Sequence, residues 1–235
     1  MPPLALLAGG LATRMRPLTE KVPKSMLEAA GEPFIAHQLR LFRREGISRV
    51  VLCVGYLWEM MADFVGDGSR FGLKVEYSTE HDKLLGTGGA LKQALPLLGD
   101  EFLVHYGDSY LDIPFAPVVD AFRASRRLGL MTVYRNEDDF DASNVEFDGR
   151  EIMAYSKRDR TSAMHHIDWG LGALKREALS GWPDNELFDL ASVYERLVRE
   201  GQLAAFEVHT RFYEIGSHAG LKDADAFLRA GGASS

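Results

Sequence analysis

The residues best suited to chemistry lie early in the chain, in LALLAGGLATRMRPLTEKVPKSM, residues 4–26. A short apolar run stops there at a pair of glycines, Gly9 and Gly10. Four cations follow: Arg14, Arg16, Lys21 and Lys24. Glycine lets backbone N–H groups come close to a ligand, and amides beside cations form a site for an anion. The loop is therefore predicted to bind phosphate, with a basic, solvent-exposed loop as the alternative.

Two acidic residues are candidates for metal binding, and the first of them stands where a strand is predicted to end. Asp108 closes the run EFLVHYGD, and Glu214 lies in RFYEIGS, between apolar residues and a glycine. Magnesium prefers hard oxygen ligands, usually one or two carboxylates together with substrate phosphates. Both acids are therefore candidate magnesium ligands, and the alternative for each is an ordinary acidic turn residue.

A second glycine-rich segment, LLGTGGALKQAL, is predicted to open a helix. Its glycines, Gly86, Gly88 and Gly89, would admit a flat ring or a phosphate close to the backbone. A dinucleotide-binding fingerprint fits poorly, because its sixth position is Leu91 instead of Gly or Ala. The sequence also lacks the G-x-x-x-x-G-K-[ST] and G-x-S-x-G motifs, which argues against a P-loop ATPase and an elbow-type serine hydrolase.

Elements of secondary structure must hold these candidate binding residues in place. Along the chain, strand-like and helix-like segments alternate. Such a βαβα order implies a mostly parallel sheet with helices on both faces, and ligands bind such a sheet at the carboxyl ends of its strands. Later, NVEFDGREIMAYSK predicts a hairpin that turns at Asp148 and Gly149. The predicted fold is a three-layer α/β/α nucleotide-binding fold with a mixed, mostly parallel central sheet and a small antiparallel addition. One domain is expected over residues 1–230, followed by a disordered tail, residues 231–235.

The amino-acid composition of the chain excludes some classes of function. The chain has 235 residues, of which 46% are hydrophobic and 26% charged, as in ordinary soluble proteins. No apolar run approaches the length of a membrane span, and the only cysteine, Cys53, excludes an internal disulfide. The net charge of −7 argues against a nucleic-acid partner. We expect a cytoplasmic protein with small-molecule substrates and no membrane partner; a homo-oligomer is possible.

Taken together, the motifs resemble those of the sugar-1-phosphate nucleotidylyltransferases, from Leu4 to about Leu228. LAGGLATRMRPLTEKVPKSM is similar to the glycine-rich phosphate loop of that family and its downstream lysine. LGTGGAL, GDSYLD and FYEIGS fall where the family has its base-binding glycines, its metal aspartate and its C-terminal metal acid. The resemblance implies an enzyme with Mg²⁺ as cofactor that joins a nucleoside triphosphate to a sugar 1-phosphate and releases pyrophosphate.

The resemblance also implies roles for individual residues. Arg14, Lys24 and Asp108 would act at the reacting centre. Asp108 and Glu214 would hold Mg²⁺. The nucleotide would be bound by Ala8, Gly9, Gly10, Leu11, Thr13, Gly86, Thr87, Gly88 and Gly89. The sugar phosphate would be bound by Lys157, Asp168 and Gly170.

The chain departs from the family pattern at four places. Ala12 replaces the third glycine of the loop, and Glu214 stands where aspartate is commoner. The family's E-K-P has become residues 156–158, S-K-R, and its N-A-G has become residues 168–170, D-W-G. The motifs assigned to nucleotide binding therefore match the family pattern well, whereas the motifs assigned to sugar binding differ from it. The sequence does not identify the sugar.

Several alternatives remain open on these motifs. Within the family, GTP with heptose or mannose 1-phosphate is preferred, and uridylyl transfer to an amino-sugar 1-phosphate is the alternative. A glycosyltransferase on a similar fold would usually carry a D-x-D pair, but Asp108 is followed by Ser109 and Tyr110. A non-catalytic nucleotide sensor would be expected to lose its phosphate-binding cations, yet Arg14 and Lys24 are both present.

Overall fold

A computed structural model describes residues 1–10, 12–80 and 83–231 of the chain. Six α-helices lie within the described residues: α1 (Phe34–Arg44), α2 (Trp58–Val65), α3 (Gly86–Leu98), α4 (Ala116–Ser125), α5 (Leu190–Arg199) and α6 (His218–Arg229). The described strands are β1 (Leu4–Leu7), β2 (Glu28–Ala29), β3 (Glu32–Pro33), β4 (Arg49–Val54), β5 (Lys74–Thr79), β6 (Glu101–Tyr106), β7 (Ser109–Tyr110), β8 (Gly129–Arg135), β9 (Val145–Phe147), β10 (Ile152–Tyr155), β11 (His166–Lys175), β12 (Leu203–Val208) and β13 (Tyr213–Glu214). The predicted tail beyond residue 231 and Leu11 both lie outside the described residues.

Nine of these strands form one mixed sheet. Parallel pairing joins β5, β4, β1 and β6 in that order, and β12 pairs in parallel with β8. The long strand β11 runs antiparallel between β6 and β8 and thereby links the two parallel groups. The predicted hairpin is confirmed, since β9 and β10 pair antiparallel and β9 continues onto β11. The α/β fold predicted from the sequence is therefore confirmed.

The sheet buries both of its faces, because its central strands alternate between two apolar layers. In β1, Leu4 and Leu6 join the layer that also contains the core residues of α1 and α4, whereas Ala5 joins the layer under α3 and α5. This two-sided burial explains why the parallel strand β4 reads as the nearly continuous apolar run RVVLCV. Cys53 in that strand is buried, and burial raises the pKa of its thiol to about 12.

Two small ribbons lie outside the main sheet. One joins β2 to β3, and the other joins β7 to β13. The second ribbon begins directly beyond the end of β6 and brings a late segment of the chain to the carboxyl edge of the central strands. Among the helices of the described residues, none combines the length and the apolar character that crossing a membrane requires.

Candidate active site

The site forms where β1, β4 and β6 end side by side. Leu7 is in register with Cys53 on one side and with Tyr106 on the other. Two hydrogen bonds extend this alignment: Ala8 N–H donates to the Cys53 carbonyl, and Gly107 N–H donates to the Leu7 carbonyl, both at 2.9 Å. A cavity of about 240 Å³ opens at this edge, and we call it the nucleotide cavity. It lies at the carboxyl ends of parallel strands, where ligands of such sheets bind.

The glycine loop forms one wall of the nucleotide cavity. A Cβ on Gly9 would lie 2.7 Å from Glu80 Oε2 and 3.2 Å from the backbone N of Gly55, so a side chain there would have to displace the Glu80 carboxylate. Gly10 has open space around it. Ala12, which replaces a family glycine, has φ 47° and ψ 43°, the left-handed conformation that glycine adopts most easily. The Thr19 hydroxyl donates to the Ala12 carbonyl at 2.8 Å and ties the loop to the next turn.

Of the four cations of the loop, two line the cavities of the site. Lys24 opens a short 3-10 turn that is fixed to β6 by its neighbour Ser25, whose hydroxyl donates to the Gly107 carbonyl at 2.8 Å. The Lys24 ammonium thereby reaches Asp108, with Nζ 2.8 Å from Oδ2. Arg14 is exposed in the turn that begins at Thr13, and it lines the space beside Lys24. Lys24 and Arg14 thus supply positive charge at the place where phosphates would enter.

Asp108 and Glu214 come together through the β7–β13 ribbon. Glu214 is in register with Ser109, and Ile215 N–H donates to the Asp108 carbonyl at 2.9 Å. The Glu214 carboxylate is held by the N–H of Gly216 and, at 3.0 Å, by the hydroxyl of Ser217. A side chain on Gly216 would collide with the Glu214 carboxylate, and its Cβ would lie 3.7 Å from Asp108 Oδ2.

This donor set fits a magnesium ion. Both carboxylates lie beside Gly216, and carboxylate oxygens are the hard donors that Mg²⁺ prefers. Within the described part of the chain, no group of three His, Cys, Asp or Glu side chains is placed to hold a metal. The remaining ligands would therefore be phosphate oxygens and water, which is the usual arrangement for Mg²⁺ in phosphoryl chemistry.

Helix α3 contributes to the nucleotide cavity with some of its glycine-rich residues and to packing with others. Gly86, Thr87 and Ala90 line the cavity. Gly88 and Gly89 do not: a Cβ on Gly88 would collide with the Phe188 ring, and one on Gly89 would lie 2.6 Å from the carbonyl of residue 186. Of the predicted nucleotide-binding residues 86–89, the structure thus places Gly86 and Thr87 at the cavity, and Gly88 and Gly89 against residues 186–188, which pack closely because these glycines have no side chain.

Thr87 also organises the start of α5. Its hydroxyl donates to Asp189 Oδ1 at 3.0 Å and accepts the Leu190 N–H at 2.9 Å. Asp189 is the N-cap of that helix and accepts the Ala191 N–H at 2.8 Å. The hydrogen bonds of Thr87 thus connect the nucleotide cavity to the start of α5.

Sequence reasoning missed Glu80, which lines the nucleotide cavity. Its Oε1 accepts the Leu85 N–H at 2.6 Å, while Oε2 lies on the side of Gly9. Burial is the largest influence on this carboxyl and raises its pKa. The available signal was its position directly after β5, at the same sheet edge as the glycine loop and Asp108.

A second cavity of about 360 Å³, which we call the sugar cavity, adjoins the first. Tyr106 and Asp108 line both cavities. The other residues of the sugar cavity include the predicted sugar-phosphate residues Lys157, Asp168 and Gly170, together with Arg14 and Glu214.

Asp168 is held firmly in the sugar cavity. Its Oδ1 accepts the Gly170 N–H at 3.0 Å, and its Oδ2 accepts the Tyr106 hydroxyl at 3.3 Å. Burial raises the pKa of the Asp168 carboxyl, and the positive charge of Lys157 opposes that rise. The Lys157 ammonium lies 3.7 Å from Asp189 Oδ1.

Comparison with known proteins identifies the class. Residues 5–151 match the family model described as nucleotidyl transferase. The chain is 30% identical to the N-acetylmuramate alpha-1-phosphate uridylyltransferase of Neisseria meningitidis, over 96% of this chain and 97% of the relative. It is 31% identical to the mannose-1-phosphate guanylyltransferase of Mycobacterium tuberculosis, over 83% of this chain but only 55% of that longer relative.

The fold is shared with solved structures. A putative glucose-1-phosphate thymidylyltransferase from Bacillus anthracis superposes with a TM-score of 0.87 at 20% identity, covering 97% of this chain and 95% of that one. HddC from Yersinia pseudotuberculosis, complexed with GMP-PN, gives a TM-score of 0.81 at 22% identity, covering 97% of this chain and all of that one. The chain belongs to the nucleotidyl transferase family. Within it, the resemblance to the sugar-1-phosphate nucleotidylyltransferases is confirmed, and the protein is an enzyme of that group.

Proposed function

We propose that the enzyme transfers guanylyl from GTP to a neutral hexose or heptose 1-phosphate, such as mannose or heptose 1-phosphate, and requires Mg²⁺. The observation that carries this proposal is the junction of the two cavities at Tyr106 and Asp108. A nucleotide in one cavity and a sugar phosphate in the other would meet beside Lys24, Asp108 and Glu214. Catalysis then consists mainly of aligning two anions and neutralising their charge.

The reaction balances without a protein nucleophile. An oxygen of the sugar phosphate attacks the α-phosphorus of the triphosphate, a new P–O bond forms, and the bond to the β-phosphate breaks as pyrophosphate leaves with its electron pair. The backbone N–H groups of the glycine loop hold the triphosphate, and Arg14 and Lys24 neutralise its charge. Bound Mg²⁺ supplies Lewis-acid stabilisation of the phosphate oxygens, and Asp108 and Glu214 are the residues that would hold it.

Glu80 supports guanine as the base. A carboxylate accepts hydrogen bonds only, and guanine presents the adjacent N1–H and N2–H₂ donors on one edge. The same edge of uracil presents one N–H between two carbonyl oxygens, which a carboxylate would repel. A site built to hydrogen-bond one base discriminates strongly against an analogue that cannot satisfy it.

The proposal is tested with purified protein, Mg²⁺, five nucleotides (GTP, UTP, dTTP, CTP and ATP) and a panel of sugar 1-phosphates. We expect pyrophosphate release with GTP, and the nucleotide-diphosphate sugar in the mass spectrum. No pyrophosphate with any pair would overturn the reaction. Release with UTP alone would overturn only the choice of base.

A second candidate is a uridylyltransferase that acts on an N-acetylated amino-sugar 1-phosphate. It is favoured by the relative from Neisseria meningitidis, which aligns with this chain over nearly the full length of both. The Glu80→Gln variant separates the two, because a neutral amide can both donate to and accept from uracil. If guanine is the native base, this variant should shift the kcat/KM ratio from GTP towards UTP.

A further inference from the structure

Helix α1 carries one polar side chain into the core. Its other buried residues are all apolar: Phe34, Ile35, Ala36, Leu39, Leu41 and Phe42. Gln38 lies among them and is 0% exposed. Burying an amide costs free energy unless its polar atoms are hydrogen-bonded, so the partners of Gln38 indicate its role.

The Gln38 amide spans the turn that presents Asp108. Its Nε2 donates to the Tyr106 carbonyl at 3.1 Å and to the Ser109 carbonyl at 2.7 Å, on the two sides of residues 107–108. An amide nitrogen carries two N–H donors, one for each carbonyl. Among the described residues, Gln38 Oε1 is buried and has no hydrogen-bond partner. The amide is therefore kept for its donors, and both donors serve this one turn.

The two carbonyls inside the turn are held from other elements. The Gly107 carbonyl accepts the Ser25 hydroxyl at 2.8 Å, and the Asp108 carbonyl accepts the Ile215 N–H at 2.9 Å. All four successive carbonyls of residues 106–109 thus accept a hydrogen bond from outside the turn. The backbone that carries the candidate metal ligand is fixed along its whole length.

We propose that Gln38 is a positioning residue for the metal site: by bonding both ends of the turn, it holds the Asp108 carboxylate where Mg²⁺ binds together with Glu214. This inference rests on the proposed function, in which Asp108 and Glu214 hold Mg²⁺. The bonds of Gln38 go to backbone carbonyls, so its effect on the metal passes through the turn. A turn that is free to shift must be ordered when the metal binds, and this ordering weakens the binding.

The experiment measures how much Mg²⁺ increases the affinity for nucleotide. Calorimetry with Mg²⁺ and with EDTA gives this gain for the nucleotide that the parent protein binds most tightly, in the absence of sugar 1-phosphate. Asp108→Asn provides the reference in which a metal ligand is lost. The test variant is Gln38→Met, which has nearly the same size as the parent side chain but no N–H donor.

We expect Gln38→Met to reduce the Mg²⁺-dependent gain at least about fivefold, because partners that orient metal ligands typically contribute about 10–100-fold to metal affinity. Affinity for nucleotide in EDTA should be unchanged. In turnover, the Mg²⁺ concentration that gives half the maximal rate should rise by a similar factor. Saturating Mg²⁺ should restore most of kcat, since the ligands themselves are intact.

Two further variants separate positioning from stability. Gln38→Asn keeps the amide but is one methylene shorter, so it cannot bridge both carbonyls and should give an intermediate loss. Thr132→Val is the matched control, because it removes another fully buried donor, a hydroxyl that bonds the Leu171 carbonyl at 2.6 Å between β8 and β11. Thermal unfolding should show a lower Tm for this control, while its Mg²⁺-dependent gain equals that of the parent.

Each other outcome counts against the inference in a recognisable way. A parent-like gain in folded Gln38→Met or Gln38→Asn would overturn the positioning role and leave the proposed function standing. An equal fall of the gain in Thr132→Val would also overturn it, because the effect would then follow from lost stability. Failure of both Gln38 variants to fold would overturn it as well, since the amide would then serve the fold as a whole. A parent protein whose nucleotide affinity does not respond to Mg²⁺ would contradict the Mg²⁺ requirement of the proposed function, and this inference with it.

Discussion

Lys24 and Asp108 form the contact on which the proposed chemistry depends. The 2.8 Å ion pair joins the phosphate loop to the metal-ligand candidate, and its partners are 20% and 33% exposed. A pair this accessible adds only about 1 kcal/mol or less to the free energy of unfolding. Its value is therefore positional: it keeps a cation at the junction of the nucleotide and sugar cavities.

Replacing Lys24 should affect catalysis far more than stability. We expect Lys24→Ala to lower kcat/KM by about a hundredfold or more, because a charge that neutralises the transferring phosphate is lost. Urea unfolding should shift by no more than about 1 kcal/mol. Lys21→Ala is the matched control, since Lys21 is an exposed cation of the same loop. Similar losses in both variants would show that the loop contributes only general positive charge.

Ala12 gives a second prediction at the residue scale. A non-glycine residue in the left-handed region costs about 1–2 kcal/mol, whereas glycine costs about 0.5–1 kcal/mol more chain entropy on folding. Ala12→Gly should therefore change the unfolding free energy by about 1 kcal/mol or less and leave the KM for nucleotide nearly unchanged. Ala12→Val should lower the Tm and raise that KM, because a β-branched residue strongly disfavours this conformation. A fully active and stable valine variant would contradict this account of the loop.

At the residue scale, the sequence indicated which residues lie together most clearly where the motif is local. Gly9, Gly10, Arg14 and Lys24 are close together in the chain, and the structure places them around the cavities as expected. Glu80 escaped notice because an isolated acid after a strand has no pattern of its own. Its position after β5 can be read from the sequence, but the proximity of Glu80 to Gly9 is set by the fold.

At the scale of elements, α3 is positioned by close contact with the segment that leads into α5. Phe188 stacks on Trp182 with ring centroids 4.5 Å apart, and the stacked pair leaves no room for a side chain on Gly88. The backbone of this segment also bonds to the helix, since Gly88 N–H donates to the Phe188 carbonyl at 3.0 Å. The cavity residues of α3 therefore depend on packing behind them.

Gly88→Ala should destabilise the protein by about 1–3 kcal/mol through overpacking. Combining it with Phe188→Leu should restore part of that loss, because the smaller side chain makes space for the new methyl group. Unfolding in urea measures each single variant and the double variant, which closes a thermodynamic cycle. Strictly additive losses would mean that the glycine is needed for something other than this contact.

The sequence predicted the long elements and the β9–β10 hairpin, because periodicity and an Asp-Gly turn are strong local signals. It did not predict the β7–β13 ribbon. Each strand of that ribbon has only two residues, and its partners lie far apart in the chain. Pairing of this kind is decided by the surrounding fold, and no local pattern marks it.

For the whole molecule, His105 couples stability to pH. It is fully buried in β6 against the rings of Phe42 and Phe115, and burial lowers its pKa to about 4 from an ordinary value of 6.5. Its Nδ1 lies 2.8 Å from the Tyr106 carbonyl. Between these two pKa values the unfolded chain binds a proton that the folded chain does not, so stability is lost as the pH falls.

We expect the parent protein to lose about 2 kcal/mol more than His105→Phe between pH 7.5 and pH 5, because one pKa unit corresponds to about 1.4 kcal/mol. Phenylalanine keeps the aromatic packing and cannot titrate. The free energy of unfolding in urea at the two pH values gives the difference directly. Parallel losses in the two proteins would assign the acid sensitivity to other groups.

The β7–β13 ribbon also has a consequence for the order in which the enzyme becomes competent during its synthesis. The phosphate loop, Lys24 and Asp108 leave the ribosome before Glu214, which follows the last strand of the main sheet. A partly made chain can therefore contain every element of the triphosphate wall while the second carboxylate is still missing. The carboxylate pair can therefore form only after every strand of the main sheet has been synthesised, so the proposed metal ligands are completed later than the residues of the triphosphate wall.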